Sequence, residues 1–158
     1  MPITFSLLED YDAPPARVYR ALTDLDDAGA WMTGLVRIER LDPGPLVVGS
    51  RWRETRRMFG REASEEFEVT RLEPPAHLAL RCDGTKGASG CGEFLFDFEL
   101  EPQAGGTRLT LHGEIRGMGG MWQMFGKLFA GSYRRAVRKD LAALRQHLVK
   151  EMVPAAPL

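Results

Sequence analysis

The chain has 158 residues, of which 44% are apolar and 27% charged, and its net charge is −1. This length suits one domain with its own core, and the composition excludes a disordered chain and a globally basic nucleic-acid binder. The apolar runs are too short to cross a membrane, and residues 1–12 lack the basic start and apolar stretch of a signal peptide. We therefore expect a cytoplasmic domain without a transmembrane segment and without DNA as a partner.

The N-terminal part of the chain contains one strand and two short helices. Alternating apolar residues predict a strand over Ile3–Tyr11. Asp12 is a typical helix-capping residue, and the prolines at 14 and 15 suit a first helical turn, so a helix begins there. The pair Thr23-Asp24 resembles a second cap and predicts a short helix that runs toward Trp31.

The middle of the chain changes to an apolar period of two, which is typical of strands. Turn residues divide it into six predicted strands: Leu35–Leu41, Gly49–Met58, Arg61–Leu72, His77–Cys82, Gly92–Glu101 and Thr107–Arg116. Connections this short join antiparallel neighbours, because parallel strands need a long crossover. The pattern predicts an antiparallel meander with one apolar face.

One hairpin has a register that can be worked out. A turn at Phe59-Gly60 makes the numbers of facing residues sum to 119. Opposite charges then face each other on the outer side, in the pairs Arg51/Glu68, Arg53/Glu66 and Arg57/Glu62, with Thr55 opposite Ser64. The inner side pairs Trp52 with Phe67 and Glu54 with Glu65, and Arg56 lies beside them. A slip of one residue would exchange the two faces.

The C-terminal part of the chain predicts one long amphipathic helix. Gly117–Gly120 is interpreted as a flexible break, and Met121–Lys150 then carries apolar residues at helical spacing. Thirty residues give a helix about 45 Å long, which is enough to cross the whole sheet. We predict a single domain over residues 1–152 and a flexible tail over 153–158.

The order of these elements, and several short motifs within them, resemble one superfamily. The motifs are Asp12-Ala13-Pro14-Pro15, Trp31, Gly49-Ser50-Arg51-Trp52, Gly60-Arg61 and the terminal helix. Over about residues 3–150 the chain resembles the SRPBCC superfamily, also called START-like or helix-grip proteins, and within it the bacterial polyketide cyclase/dehydrase-like branch. The resemblance implies an α+β helix-grip fold: a curved seven-stranded antiparallel sheet wrapped on the C-terminal helix, with two short helices between strands one and two.

The resemblance also implies an apolar cavity between sheet and helix. Members of the superfamily bind lipids, sterols, polyketides or other hydrophobic molecules. We therefore expect a small hydrophobic ligand, bound without a cofactor. The residues expected to line the site are Trp31, Trp52, Phe67, Leu80, Phe96, Leu111, Met121, Phe125 and Phe129.

Two other functions stay open. Some members of the superfamily are cyclases, aromatases or dehydrases, and here an inward carboxylate would transfer the proton. The candidates for that chemistry are Glu9, Glu54, Arg56 and Glu65, because carboxylates in an apolar cavity have raised pKa values. A structural alternative is that Arg56 only pairs with one of these acids. The third function is a protein-interaction module, in which the basic face of the last helix docks on an acidic partner, with a membrane surface or RNA as other occupants of that face. The alternative is that this face is only solvated. A protein partner or a homodimer also stays open.

The cysteines and histidines do not form a metal-binding pattern. Cys82 and Cys91 are eight apart with no histidine between them, which does not match a zinc set. They flank a glycine-rich turn, and we expect two free thiols in a reducing compartment. The three histidines are predicted to lie away from the apolar faces: His77 starts a strand, His112 points to solvent and His147 lies beside the helical apolar stripe. No metal site is expected.

Overall fold

A computed structural model describes the backbone of residues 2–58 and 60–152. The side chains of Met58, Met152 and residues 121–123, 125–127 and 129 are outside the described part. The tail predicted at 153–158 also lies outside the described residues.

The elements follow the predicted order. The strands are β1 (Ile3–Tyr11), β2 (Leu35–Arg40), β3 (Arg51–Met58), β4 (Arg61–Glu73), β5 (His77–Asp83), β6 (Glu93–Gln103) and β7 (Gly106–Arg116). The helices are α1 (Pro15–Thr23) and α2 (Gly120–Met152), with single 3-10 turns at Ala28–Ala30 and Gly84–Lys86. Most boundaries differ from the prediction by one or two residues, as expected where turn residues end an element.

The seven strands form one sheet in the order β1-β7-β6-β5-β4-β3-β2, and every neighbouring pair is antiparallel. The meander from β2 to β7 is therefore confirmed. Strand β1 joins its far edge by pairing with β7, so the first strand of the chain lies next to the last.

The predicted hairpin register is also confirmed. Strands β3 and β4 align so that all six predicted residue pairs are neighbours. On the inner side, the rings of Trp52 and Phe67 stack with their centroids 5.7 Å apart. On the outer side, the hydroxyls of Thr55 and Ser64 are 2.7 Å apart. Met58 pairs with Arg61, as a turn at Phe59-Gly60 requires, although Phe59 itself lies outside the described residues.

The predicted cap of the first helix is wrong. The N-cap of α1 is Pro14, which has no side chain to accept a hydrogen bond, and Asp12 does not cap the helix. The proline-rich start alone sets the first turn. The second short helix is reduced to the 3-10 turn at Ala28–Ala30, where the Asp24 carboxylate accepts a hydrogen bond from the Asp27 N–H.

Helix α2 packs along β1 and seals one end of the inner face. The Tyr11 hydroxyl donates to the Leu141 carbonyl at 3.0 Å, and Arg134 donates to the Ser6 carbonyl. The apolar side chains at this sealed end are almost fully buried: Leu7, Tyr11, Val18, Leu100, Leu109, Leu141, Leu144 and Leu148. Among the described residues, no helix is long and apolar enough to span a membrane.

Candidate ligand-binding site

The inner face beyond the sealed end is lined by aromatic rings. Trp52 stacks on Phe67, which lies 6.2 Å from Phe96, and Phe96 lies 6.1 Å from Tyr133 of α2, all as ring centroids. Strands β3, β4 and β6 bring these predicted site residues together because every second side chain of a strand points to the same face of the sheet. Trp52 is buried, whereas Phe67 and the inward Leu80 of β5 are only half-buried.

A buried ion-pair network lies beside this aromatic wall. The Arg56 Nε donates to Glu54 at 2.5 Å, and Arg56 Nη1 donates to the Asp140 carboxylate of α2 at 2.6 Å. Asp140 also accepts from the Thr33 backbone N–H at 2.9 Å. Glu54 and Asp140 are each 7% exposed. One guanidinium therefore pairs with two buried carboxylates and connects β3 to the last helix.

This environment perturbs the charges of the network. Burial raises the pKa of Glu54, and the neighbouring Arg56 opposes that shift. For Arg56, burial favours the neutral form, but the charges of Glu54 and Asp140 outweigh it and hold the pKa above its ordinary value. Arg56 therefore stays charged, while Glu54 takes up a proton at a higher pH than an ordinary glutamate does.

Glu65 has a different environment. One of its carboxylate oxygens accepts from the Ser89 N–H at 2.9 Å and from the Ser89 hydroxyl at 2.6 Å. The Cys82 thiol lies 3.8 Å from the other oxygen. A Cβ at Gly87 would come within 2.1 Å of that oxygen, so the chain passes this carboxylate closely. Glu65 holds the β5–β6 loop against β4.

The four predicted polar candidates do not form one group. Glu54 and Arg56 are bonded, and Glu65 is the cross-strand partner of Glu54. Glu9 is inward and largely buried as predicted, but it lies on β1 and accepts a hydrogen bond from Arg145 of α2. Because β1 and β3 lie on opposite sides of the sheet centre, Glu9 belongs to the helix contact at the sealed end.

The apolar residues predicted to line the site do not all lie in one place either. Trp31 and Leu80 are half-buried and pack against the core. Leu111 has no exposed surface and packs at the centre of the sheet, opposite Leu7 and Phe98. The side chains of Met121, Phe125 and Phe129 are outside the described part of the chain.

Sequence reasoning missed Asp140. Its carboxylate lies on the buried side of α2, at the helical spacing of Val137, Leu141 and Leu144. An acid within an apolar helical stripe is a signal that could have found it. The Cys82 thiol was correctly expected to be free, and burial together with nearby Glu65 raises its pKa.

Two cavities lie away from these residues. One of about 430 Å³ lies at the β1–β7 end near Ile115 and Met118, and one of about 500 Å³ lies between α1 and the Pro74–Pro75 turn. Neither is lined by a predicted site residue. The candidate site is the aromatic wall with the Glu54 network, because predicted site residues of β3, β4 and β6 come together there.

The fold is shared with several solved structures. The protein TTHA0849 from Thermus thermophilus aligns with a TM-score of 0.79 at 16% identity, covering 96% of this chain and 100% of that one. Ginseng major latex-like protein 151 from Panax ginseng gives 0.77 at 7% identity, with 93% and 97% covered. Mll3558 from Rhizobium loti gives 0.72 at 21% identity, with 92% and 96% covered. No curated protein matches the chain.

The sequence itself identifies the family. The family model described as polyketide cyclase / dehydrase and lipid transport matches residues 3–149, almost the whole chain. This agrees with the seven-stranded antiparallel sheet, the C-terminal helix and the two short helical segments after β1. The chain therefore belongs to the polyketide cyclase / dehydrase and lipid transport family, within the SRPBCC superfamily, and has its helix-grip fold.

Proposed function

We propose that the protein binds a small hydrophobic ligand, lipid-, sterol- or polyketide-like, between the inner face of strands β3–β6 and helix α2. The observation that carries this proposal is the uneven burial of the inner face. Leu109 and Leu144 at the sealed end have no exposed surface, whereas Phe67 and Leu80 point inward and stay half-buried. Covering inward apolar surface contributes about 25 cal/mol per Å².

The family supports the same class of ligand, because its description combines polyketide chemistry with lipid transport. Wide apolar sites with a few polar groups are the usual form of small-molecule sites.

The polar groups beside the aromatic wall favour a ligand with an oxygen function. The buried Trp52 N–H lies close enough to the Glu54 carboxylate to lower the pKa of Glu54. It nevertheless makes no hydrogen bond of good geometry with the described part of the chain. A buried donor without a partner costs about 1–3 kcal/mol. A keto, hydroxyl or carboxyl oxygen at this position would satisfy it.

The binding test compares the two faces of the sheet. A naphthalene-type fluorescent probe and a fluorescent fatty acid are titrated against wild type, Leu80→Trp and Leu95→Trp. Leu80 and Leu95 lie on adjacent strands and are both half-buried, but Leu80 faces inward and Leu95 outward. We expect saturable binding by wild type. Leu80→Trp should lower the affinity for the probe at least about tenfold, and Leu95→Trp should leave the affinity unchanged.

Two outcomes would contradict the proposal. One is equal weakening by both substitutions, which would point to a surface site or to general destabilisation. The other is wild type that binds no probe from a broad apolar panel, which would favour the interaction module.

A second candidate function is proton transfer to a polyketide-like substrate in the same site. The observation that favours it is the raised pKa of Glu54, which has burial as its main cause, since a carboxyl group of this kind can act as a general acid. Glu65 is a poorer candidate because Ser89 already donates twice to it. The test is turnover of a short poly-β-ketone substrate: Glu54→Gln should abolish turnover and keep probe binding, whereas Glu65→Gln should keep both.

A further inference from the structure

Three potential metal ligands converge where the C-terminal part of α2 meets the connection between α1 and β2. His147 and Glu151 lie one helical turn apart on α2, and Asp27 precedes the 3-10 turn at Ala28–Ala30. His147 Nε2 is 3.0 Å from Asp27 Oδ2 and 3.3 Å from Glu151 Oε1. One ligand atom from each residue lies within 4.8 Å of the others.

One ring nitrogen thus faces two carboxylate oxygens. A neutral imidazole has at most one hydrogen on Nε2, so it cannot donate fully to both acceptors. A divalent cation among the three atoms would be bound by all of them. Zinc bonds of about 2.0–2.2 Å in tetrahedral geometry place neighbouring ligand atoms roughly 3.3–3.5 Å apart, and the 3.0 and 3.3 Å separations are close to that spacing.

The surroundings also suit a metal ligand set. Arg17 of α1 donates to the other oxygen of Glu151 at 2.7 Å, which orients the carboxylate and leaves Oε1 toward His147. Second partners of this kind commonly fix ligating carboxylates. The His147 side chain is 14% exposed, while Asp27 and Glu151 are about half exposed. The imidazole is therefore held by packing, and the outer side is open to a water as fourth ligand.

We propose that Asp27, His147 and Glu151 bind a divalent transition metal of the zinc type, which ties α2 to the α1–β2 connection. The set of one imidazole and two carboxylates is one that zinc accepts. The competing arrangement is a direct contact of His147 with the two acids, without a metal. The proposal is independent of the ligand on the inner face.

The test is isothermal titration of zinc chloride into the full chain in a non-chelating buffer. Wild type is expected to bind one equivalent, and Asp27→Asn and His147→Asn are expected to weaken binding at least tenfold. The matched control is His77→Asn, because His77 lies 3.4 Å from a single carboxylate, that of Glu73. Cys91→Ser excludes binding through the half-buried thiol.

Thermal unfolding with and without zinc gives the second readout. The metal should raise the melting temperature of wild type, His77→Asn and Cys91→Ser, and leave that of Asp27→Asn unchanged. Circular dichroism establishes that each variant is folded. Wild type that binds no zinc, or equal binding by wild type and Asp27→Asn, would overturn the proposal and leave the cluster as an ion pair only.

Discussion

Removal of the Arg56 side chain should destabilise the fold strongly, because two buried acids depend on it. Replacing it with methionine keeps much of the apolar stem but leaves Glu54 and Asp140 without their cation. Removing one partner of a buried ion pair costs about 3–5 kcal/mol. Since the Arg56 side chain is itself 25% exposed, we expect the lower end of that range, about 3 kcal/mol.

The adjacent arginine gives a matched control. Arg57 points to the outer face, pairs with Glu62 at 3.2 Å and has a side chain that is 65% exposed. Exposed pairs contribute about 0–1 kcal/mol, so Arg57→Met should hardly change the free energy of unfolding. Urea unfolding at pH 7.5, followed by circular dichroism and tryptophan fluorescence, measures both. Equal effects of the two substitutions would refute the assignment of Arg56 to a buried network.

The same network predicts a dependence on pH. Burial raises the folded-state pKa of Glu54 and Arg56 lowers it, so the Arg56→Met substitution should raise it further. An acid with a raised folded-state pKa stabilises the fold below its unfolded pKa, near 4.5, and that contribution is lost as the pH rises through the folded value. The difference in the free energy of unfolding between wild type and Arg56→Met should therefore be larger at pH 7.5 than at pH 5. A gap that widens on acidification would contradict this assignment.

Two further substitution and labelling experiments test the packing. A Cβ at Gly113 would lie 2.1 Å from the Phe5 ring, so Gly113→Ala should lower the free energy of unfolding by about 1–3 kcal/mol. The control in the same urea assay is Gly29→Ala, because a Cβ at Gly29 would meet nothing within 4 Å. Burial and Glu65 raise the pKa of the buried Cys82, so iodoacetamide at pH 8 should alkylate it at least about tenfold more slowly than half-buried Cys91. Mass spectrometry of the labelled peptides measures both rates, and equal rates would show that Cys82 is accessible.

The sequence was sufficient for the β2–β7 meander because its information there is local, whereas the pairing of β1 with β7 joins strands that are distant in the sequence. Alternation assigns each side chain to a face, and the two-residue turn after Met58 fixes which residues of β3 and β4 oppose each other. The short connections then leave only antiparallel neighbours. These local rules predicted the inward positions of Glu54 and Trp52 correctly.

The partners of the inward residues could not be predicted in this way. Arg56 reaches Asp140 on the last helix, and Glu9 reaches Arg145. These contacts depend on how α2 is rotated and translated on the sheet, which no local period specifies. The cluster around His147 was missed for the same reason, because Asp27 is distant in the sequence.

Substitutions at the sealed end of the inner face and at the aromatic wall should have different effects on stability. At the sealed end, a change in Leu144 or Leu109 opens a void in the part of the fold that determines its stability. At the other end, Phe67 and Leu80 pack against the core but are only half-buried, so truncating them leaves a smaller void and affects stability less. Substitutions at that end therefore alter the proposed binding surface while the backbone is kept.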